Sequence, residues 1–388
     1  MKPRIYLIAA ALFFSAAFTS CKKDDAKKNV GDTDYVMTMT SQKEGRMIII
    51  LRGQGTITID WGDDSDETVT LFPVDSYCFH HYSNTNVRKI TIIGDNITKI
   101  NCCNNRLSSL DVSKNIALRE LFCDNNQLAC LDLRKNTALT ELRCHDNQLT
   151  CVDVGKNTAL SILHCAYNKI TSLDLSGITA LTELQCNNNM ISSLDVRKNT
   201  GLTKLRCNYN KIISLNVSKN TALTELICSQ NKLVNLDVSR TIALTELNCS
   251  ANQLMSLDVG KNTSLGLLSC NNNQLTNLDV SKNIAMTELG CWGNQLKSLD
   301  VSKNTSLRWL SCSYNQLTNL DMSNNTVLSS LNCHSNQFTV SALNALFGTL
   351  NNESIWGKTI YIGDNPGTDT CDPSIATNKG WEVRYNFN

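Results

Sequence analysis

Leu244 to Ser264 reads LTELNCSANQLMSLDVGKNTS, and the chain repeats this sentence, with changes, every 21 residues. Cysteine marks the register. Positions 102, 123, 144, 165, 186, 207, 228, 249, 270, 291, 312 and 333 are all Cys, twelve of the 18 in the chain. Asparagine follows three residues later, from Asn105 through Asn126 and Asn252 to Asn336. A strict short period means stacked coils, each touching only its neighbours, since one coil alone cannot bury its apolar side. The expected fold is mainly β: a solenoid of about twelve coils over residues 97–338.

Within one coil, Leu244, Leu247, Cys249, Leu254, Leu257 and Val259 are the inward positions. Leu247-Asn248-Cys249 alternates in, out, in, which is the period of a strand, and Leu257-Asp258-Val259 repeats that alternation half a coil later. Two short strands per coil predict two parallel sheets sharing one narrow core. With neighbouring strands ~4.8 Å apart, twelve coils span on the order of 55 Å. Asn252 falls where the chain leaves the first strand. Its amide can donate to and accept from backbone groups otherwise unpaired at that turn, copy upon copy along the stack.

The pattern LxxLxCxxNxLxxLDVxxN resembles leucine-rich repeats, and more closely the short bacterial class called IRREKO, in which each unit is two half-repeats of similar wording. The resemblance covers Ile97 to Phe338. It implies a binding scaffold presenting a concave sheet to a protein or a glycan, and no particular ligand.

Twelve aligned cysteines invite a zinc or disulfide reading. No Cys-x-x-Cys pair with metal-ligand spacing exists, which argues against zinc. Stacked parallel strands hold Cβ atoms nearer 4.8 Å than the ~3.8 Å a disulfide prefers. A column of small buried hydrophobes remains. Cys130 and Cys151 differ: they occupy an outward slot one coil apart, and could react or pair with each other.

Met1 to Ser20 is expected to be a signal peptide. Lys2 and Arg4 precede an apolar run from Ile5 to Phe18, too short to span a bilayer comfortably. It ends in Phe18-Thr19-Ser20-Cys21, which resembles a bacterial lipoprotein lipobox with Phe18 where Leu is usual. That resemblance makes Cys21 the lipid-bearing residue and places the protein at the bacterial outer membrane, held by lipid alone; an ordinary secretory cleavage site is the alternative. Residues 21–35 are a charged tether. Its Lys-Lys-Asp-Asp resembles the export signals of surface-exposed lipoproteins in the Bacteroidetes group, although a solvated linker explains the composition equally well.

Residues 36–96 are expected to form a small β domain, with strands at Arg46–Arg52, Thr56–Trp61, Glu67–Phe72 and Arg88–Ile93. Trp61-Gly62-Asp63-Asp64, followed by His81-Tyr82-Ser83, resembles a PKD-type β-sandwich, with Asp64 where that family has Gly. The family implies a spacer or interaction module, here covering the end of the solenoid. At the other end, residues 339–388 leave the repeat and read as an α/β cap. Ser341 precedes a helical pattern through Leu343, Leu346, Phe347 and Leu350; Thr359–Ile362 is a strand; Asp372-Pro373 starts a short helix that Gly380 ends; Trp381–Tyr385 is a last strand.

A second column carries Asp at 111, 132, 153, 174, 195, 237, 258, 279, 300 and 321, with Asn216 breaking it. Lysines or arginines in the following turns are expected to offset the carboxylates. One Asp per coil is too few oxygens for a calcium ladder.

Charge gives no footprint for nucleic acid: Lys plus Arg is 36 and Asp plus Glu is 35. No nucleophile motif, phosphate loop or metalloprotease helix occurs, so the chain reads as non-enzymatic, without cofactor or metal. Asp124 and His145 should stack on the open face with His164 diagonal to them, more simply polar surface than a metal site. The outward slots of the first strand are the expected binding face. One row carries Glu120, Glu141, Glu183, Glu225, Glu246 and Glu288, then Trp309. The slot after Cys changes to Trp292, and Tyr167, Tyr209 and Tyr314 lie beside it. Exposed Trp and Tyr are typical anchors for partners and sugars. Trp292 and Tyr314 are expected to meet across adjacent coils, while Trp309 and Tyr314 could instead pack against the cap. Two functions stay open: a surface adhesion or receptor protein with a protein ligand, and a glycan-capture lipoprotein of a polysaccharide-uptake system.

Overall fold

The computed structural model describes residues 35–385, so the expected leader, Cys21 and the expected tether up to residue 34 lie outside the described residues. Eleven strands of three residues, from β9 (Glu120–Phe122) to β19 (Ser330–Asn332), recur once per coil and pair in parallel with no slip in register. Leu247 and its copies point inward from the middle of each strand, and the cysteine that follows is buried too. All twelve column cysteines are fully buried. Burial pushes their thiols up, that of Cys249 to about 12.

Asparagine closes each turn. Asn252 Nδ2 donates to the carbonyls of Cys228 (3.1 Å), Cys249 (3.0 Å) and Ser250 (3.3 Å), while its Oδ1 accepts from Leu233 N–H at 3.0 Å. The residue before it adopts a left-handed backbone in every coil, at φ 52° for Ala251. A second column runs along the other turn. Asn262, fully buried, donates to the carbonyls of Val238 (3.1 Å) and Thr241 (2.8 Å) of the preceding coil.

The solenoid has one parallel sheet, not two. Leu257-Asp258-Val259 and most of its copies form no ladder, and the aspartate turns the chain. Asp258 Oδ1 accepts from Gly260 N–H at 2.8 Å, and the same bond recurs at Asp111, Asp237, Asp279 and Asp300. Such a local side-chain bond competes with strand pairing. The aspartates are therefore held chiefly by backbone; of the column, Asp132 and Asp195 also pair with Arg134 and Arg197, each at 2.7 Å.

At the N-terminal end lie β1 (Val36–Ser41), β2 (Gly45–Gly53), β3 (Gly55–Asp60), β4 (Asp66–Leu71), β5 (Ser76–Tyr82) and β6 (Arg88–Ile93). All four expected strands are present, and β1 and β5 add to them. The first coil supplies β7 (Ile97–Asn101) and β8 (Leu107–Asp111). These two tie both sheets to the solenoid. Order β4-β3-β6-β1-β8 forms one sheet, while β5 and β2 extend the solenoid's own sheet through β7. Only here does the second half-coil become a strand, because β1 gives it a partner. Trp61 is buried beneath the turn, its carbonyl receiving the Tyr82 hydroxyl at 2.7 Å. Gly62 and Asp64 both take positive φ, 73° and 67°, so the aspartate holds the shape a glycine would take.

The C-terminal segment continues the coil rather than only closing it. Helix α1 (Val340–Thr349) buries Leu343, Leu346 and Phe347, with Thr339, not Ser341, as its N-cap. Next come β20 (Thr359–Tyr361), α2 (Ser374–Thr377) and β21 (Glu382–Arg384). Both strands add to the parallel ladder, and Asn365 repeats the turn bonds, donating to Cys333, Ile362 and Gly363 carbonyls. The stack therefore holds about fourteen turns in a sheet of 16 strands.

Candidate functional site

The front of this sheet is a grid of outward side chains, one pair per strand. Its outer row is the glutamate row that ends in Trp309. Its second row, Phe122, Arg143, His164, Gln185, Arg206 and Ile227, lies between the inward leucine and the cysteine. The alternation around Asn248 already implied this row, yet of its residues the sequence singled out only His164.

Through the first half of the grid the two rows are laced by charge. Arg52 pairs with Asp75 (2.8 Å) and Glu120 (3.2 Å), and Lys99 reaches the same two carboxylates at 3.0 and 3.6 Å. Burial alone would raise the Asp75 pKa, but hydrogen bonds from Lys99 and Arg52 hold it below the usual value. Phe122 lies between Lys99 and Arg143, 5.1 and 4.7 Å from its ring centre. Arg143 bonds Glu141, His164 bonds Glu183 at 2.8 Å, and Arg206 bonds Glu225.

Asp124 and His145 do stack, 3.4 Å apart, but His164 turns to Glu183 instead of joining them. The third neighbour of Asp124 is Cys103, whose Sγ lies 3.5 Å away. Desolvation raises the Asp124 pKa against the pull of His145. Among the described residues, no group of three or more His, Cys, Asp or Glu is arranged to hold a metal.

Past Ile227 the second row shrinks to Asn248, Ser269, Gly290 and Ser311. A Cβ at Gly290 would meet Asn271 Oδ1 at 2.8 Å. This indented stretch is flanked by Leu267 and Trp309 on one side and by Asn271 and Trp292 on the other. Trp309 is 36% exposed; Trp292 is half-buried, its backbone N–H held by Asn271 Oδ1 at 3.2 Å.

Tyr314 does not stack on Trp292 as expected; its ring meets His334 edge-on, with centroids 4.7 Å apart. The spacing explains why: Tyr314 is the left-handed turn residue of its coil (φ 51°), at the rim of the grid, and so are Tyr167 and Tyr209 (φ 52° and 54°). The three are 53–58% exposed. The cap seats away from them, with Met322 N–H on Thr349 Oγ1 (3.1 Å) and Asn351 on the Leu328 carbonyl (2.8 Å).

A second aromatic cluster lies at the N-terminal end of the same grid. β2 and β5 place Ile48 opposite Phe79 and Ile50 opposite Tyr77, and the exposed Tyr77 and Phe79 rings stack 6.2 Å apart. Arg46 covers Phe79 at 4.0 Å. Alternation in Tyr77-Cys78-Phe79 was a readable signal, but without the β7 junction nothing placed it on the solenoid face. A surface depression of about 560 Å³ lies elsewhere, along Ser218, Lys219, Thr221 and Arg240 on the turn side. No helix among the described residues is long and apolar enough to cross a membrane.

No protein-family model matches the chain, and no curated protein does. Solved structures do. A leucine-rich repeat protein of Leptospira interrogans superposes with a TM-score of 0.58 at 23% identity, covering 74% of this chain and 83% of its own. An internalin from Listeria monocytogenes gives 0.55 at 23% identity, covering 69% and 74%. The functional domain of InlJ from the same species, described as including a cysteine ladder, is 29% identical over 73% of this chain and 77% of its own, at a TM-score of 0.44. The fold of this chain is a leucine-rich repeat β-solenoid with a parallel sheet.

Proposed function

We propose that the protein is a non-enzymatic binding protein that holds an extracellular protein ligand on the front face of its long sheet. The observation that carries this reading is the placement of exposed aromatics at both ends of one continuous face. Tyr77 and Phe79 lie at one end, Trp309 and Tyr314 at the other, with paired charges between. At ~4.8 Å per strand the clusters lie on the order of 60 Å apart, a span that suits a macromolecule better than a small ligand. Tyr, Trp and Arg are the side chains that most often anchor protein interfaces. Balanced charge gives no reason to expect nucleic acid.

A glycan reading has its own support. Small side chains at Ser269, Gly290 and Ser311 between Trp309 and Trp292 leave room for a sugar ring against an indole. Parallel arrays of bacterial and host surface proteins and of polysaccharides, probed with the chain from residue 35 onward, separate the two; binding to polysaccharides alone overturns the protein reading.

The lipobox-like end of the leader makes Cys21 the point of attachment to the outer membrane, with the solenoid facing outward. One acyl chain holds a protein only weakly, so stable anchoring requires several on that residue. Mature protein from its host should partition into detergent, and Cys21→Ala should abolish this. Protease added to intact cells reports the side on which the solenoid lies.

A further inference from the structure

We propose that Cys130 and Cys151 form a reversible disulfide that staples two adjacent coils, with a small soluble disulfide such as oxidised glutathione as the reactant. The two residues hold the same slot of successive coils, in Leu128-Ala129-Cys130-Leu131-Asp132 and Leu149-Thr150-Cys151-Val152-Asp153. In the other coils that slot is serine or asparagine, as at Ser109, Ser172, Ser214, Asn235 and Ser256. Both cysteines are exposed, unlike the column.

The fold holds this pair in register through bonds on either side of it. Three residues before Cys151, Gln148 N–H bonds the Leu128 carbonyl at 2.9 Å. Beyond the pair, Asn157 Nδ2 bonds the carbonyls of Leu133 (3.1 Å) and Asn136 (2.8 Å). On either side of each cysteine, Leu128, Leu131, Leu149 and Val152 are fixed in the core. Stacked coils bring equivalent Cα atoms to ~4.8 Å, within the range a disulfide bridges. Bringing the Cβ atoms from ~4.8 to ~3.8 Å then takes only a local adjustment, because neither slot lies in a strand of the sheet. The column is different. There Cys123 N–H bonds the Arg143 carbonyl and Cys144 N–H the His164 carbonyl, both at 2.8 Å, which fixes the spacing. Burial also pushes the Cys165 thiol up to about 12, so the column cannot supply a competing thiolate.

The exchange balances as two displacements. The Cys130 thiolate attacks one sulfur of the oxidised glutathione; the mixed disulfide forms and one glutathione thiol leaves. The Cys151 thiolate then attacks the Cys130 sulfur and expels the second glutathione. Two cysteine thiols lose two protons and two electrons, and the reagent gains both. The order of attack is interchangeable.

Sequential alkylation of the whole folded protein tests this. A first reagent is applied to the native state and a second after denaturation. Reduced protein should carry the first tag at Cys130 and Cys151 and the second along the column. After oxidised glutathione, neither Cys130 nor Cys151 should take the first tag. A digest without reductant should then join the peptides Glu120–Arg134 and Cys144–Lys156, with fragmentation placing the bond at Cys130 and Cys151. Cys151→Ser should stop at a glutathione adduct on Cys130. Four results overturn the proposal: both residues keep the first tag after oxidation, each retains glutathione, the bond joins two chains, or the bond involves Cys123 or Cys144.

Discussion

Tyr314 and His334 meet edge to face, their ring centres 4.7 Å apart, where two successive coils turn out of the sheet. Burial lowers the His334 pKa from its usual 6.5 despite the pull of Asp364. The folded state therefore keeps the imidazole neutral where the unfolded chain would take up a proton. This group costs no stability above about pH 6.5, and stability falls as the pH drops from there through the folded pKa. Denaturant midpoints at pH 7.5 and pH 5 should show that loss in the wild type. His334→Gln should lose less over the same window; an equal loss would contradict the assignment.

The turn columns carry the stack. Asn252→Leu keeps the branched shape but leaves the Leu233 N–H without the Oδ1 it bonds at 3.0 Å. A bare buried donor costs about 1–3 kcal/mol, and the carbonyls of Cys228 and Cys249 lose a donor as well. Urea unfolding should register a loss of at least that size. Because coils contact only neighbours, a broken central turn should also make the transition less cooperative.

Tyr209 pays for its position, since a left-handed backbone at φ 54° is strained for a bulky residue by roughly 1–2 kcal/mol. Asparagine tolerates that conformation. Tyr209→Asn is expected to raise stability by about 1 kcal/mol, read from the unfolding midpoint. A lower midpoint would mean that packing of the phenol ring outweighs the strain. Asp64→Gly, at φ 67°, should be neutral or mildly stabilising for the same reason.

The period of Cys249 and Asn252 made the coil legible before any coordinates, because both sit where packing and turn bonding admit little else. What followed from alternation alone was less secure. Leu257-Asp258-Val259 has the spacing of a strand, but Asp258 spends its carboxylate on Gly260 N–H. Asn262 closes the repeat pattern, but its burial was not legible, because a polar residue between Lys261 and Thr263 looks like surface although it is fully buried. The last turns were hidden by spacing: Asn365 follows Asn336 by 29 residues, with helix α1 inserted between. On the face, Trp309 and the tyrosines were found from their rows, whereas Tyr77 and Phe79 joined it only through the pairing of β2 with β7.

Trp309→Ala, assayed for binding and for melting temperature together, tests the central claim most directly. Trp309 lies between Glu288 and Ser330 on the open face and is 36% exposed, so its removal should leave the fold intact. Truncating a true anchor usually costs about 2 kcal/mol or more, which is roughly thirtyfold in affinity. The protein ligand identified on the array should bind Trp309→Ala about thirtyfold more weakly, at an unchanged melting temperature. Undiminished binding with a lowered melting temperature would contradict the account and assign Trp309 to holding the last coils together.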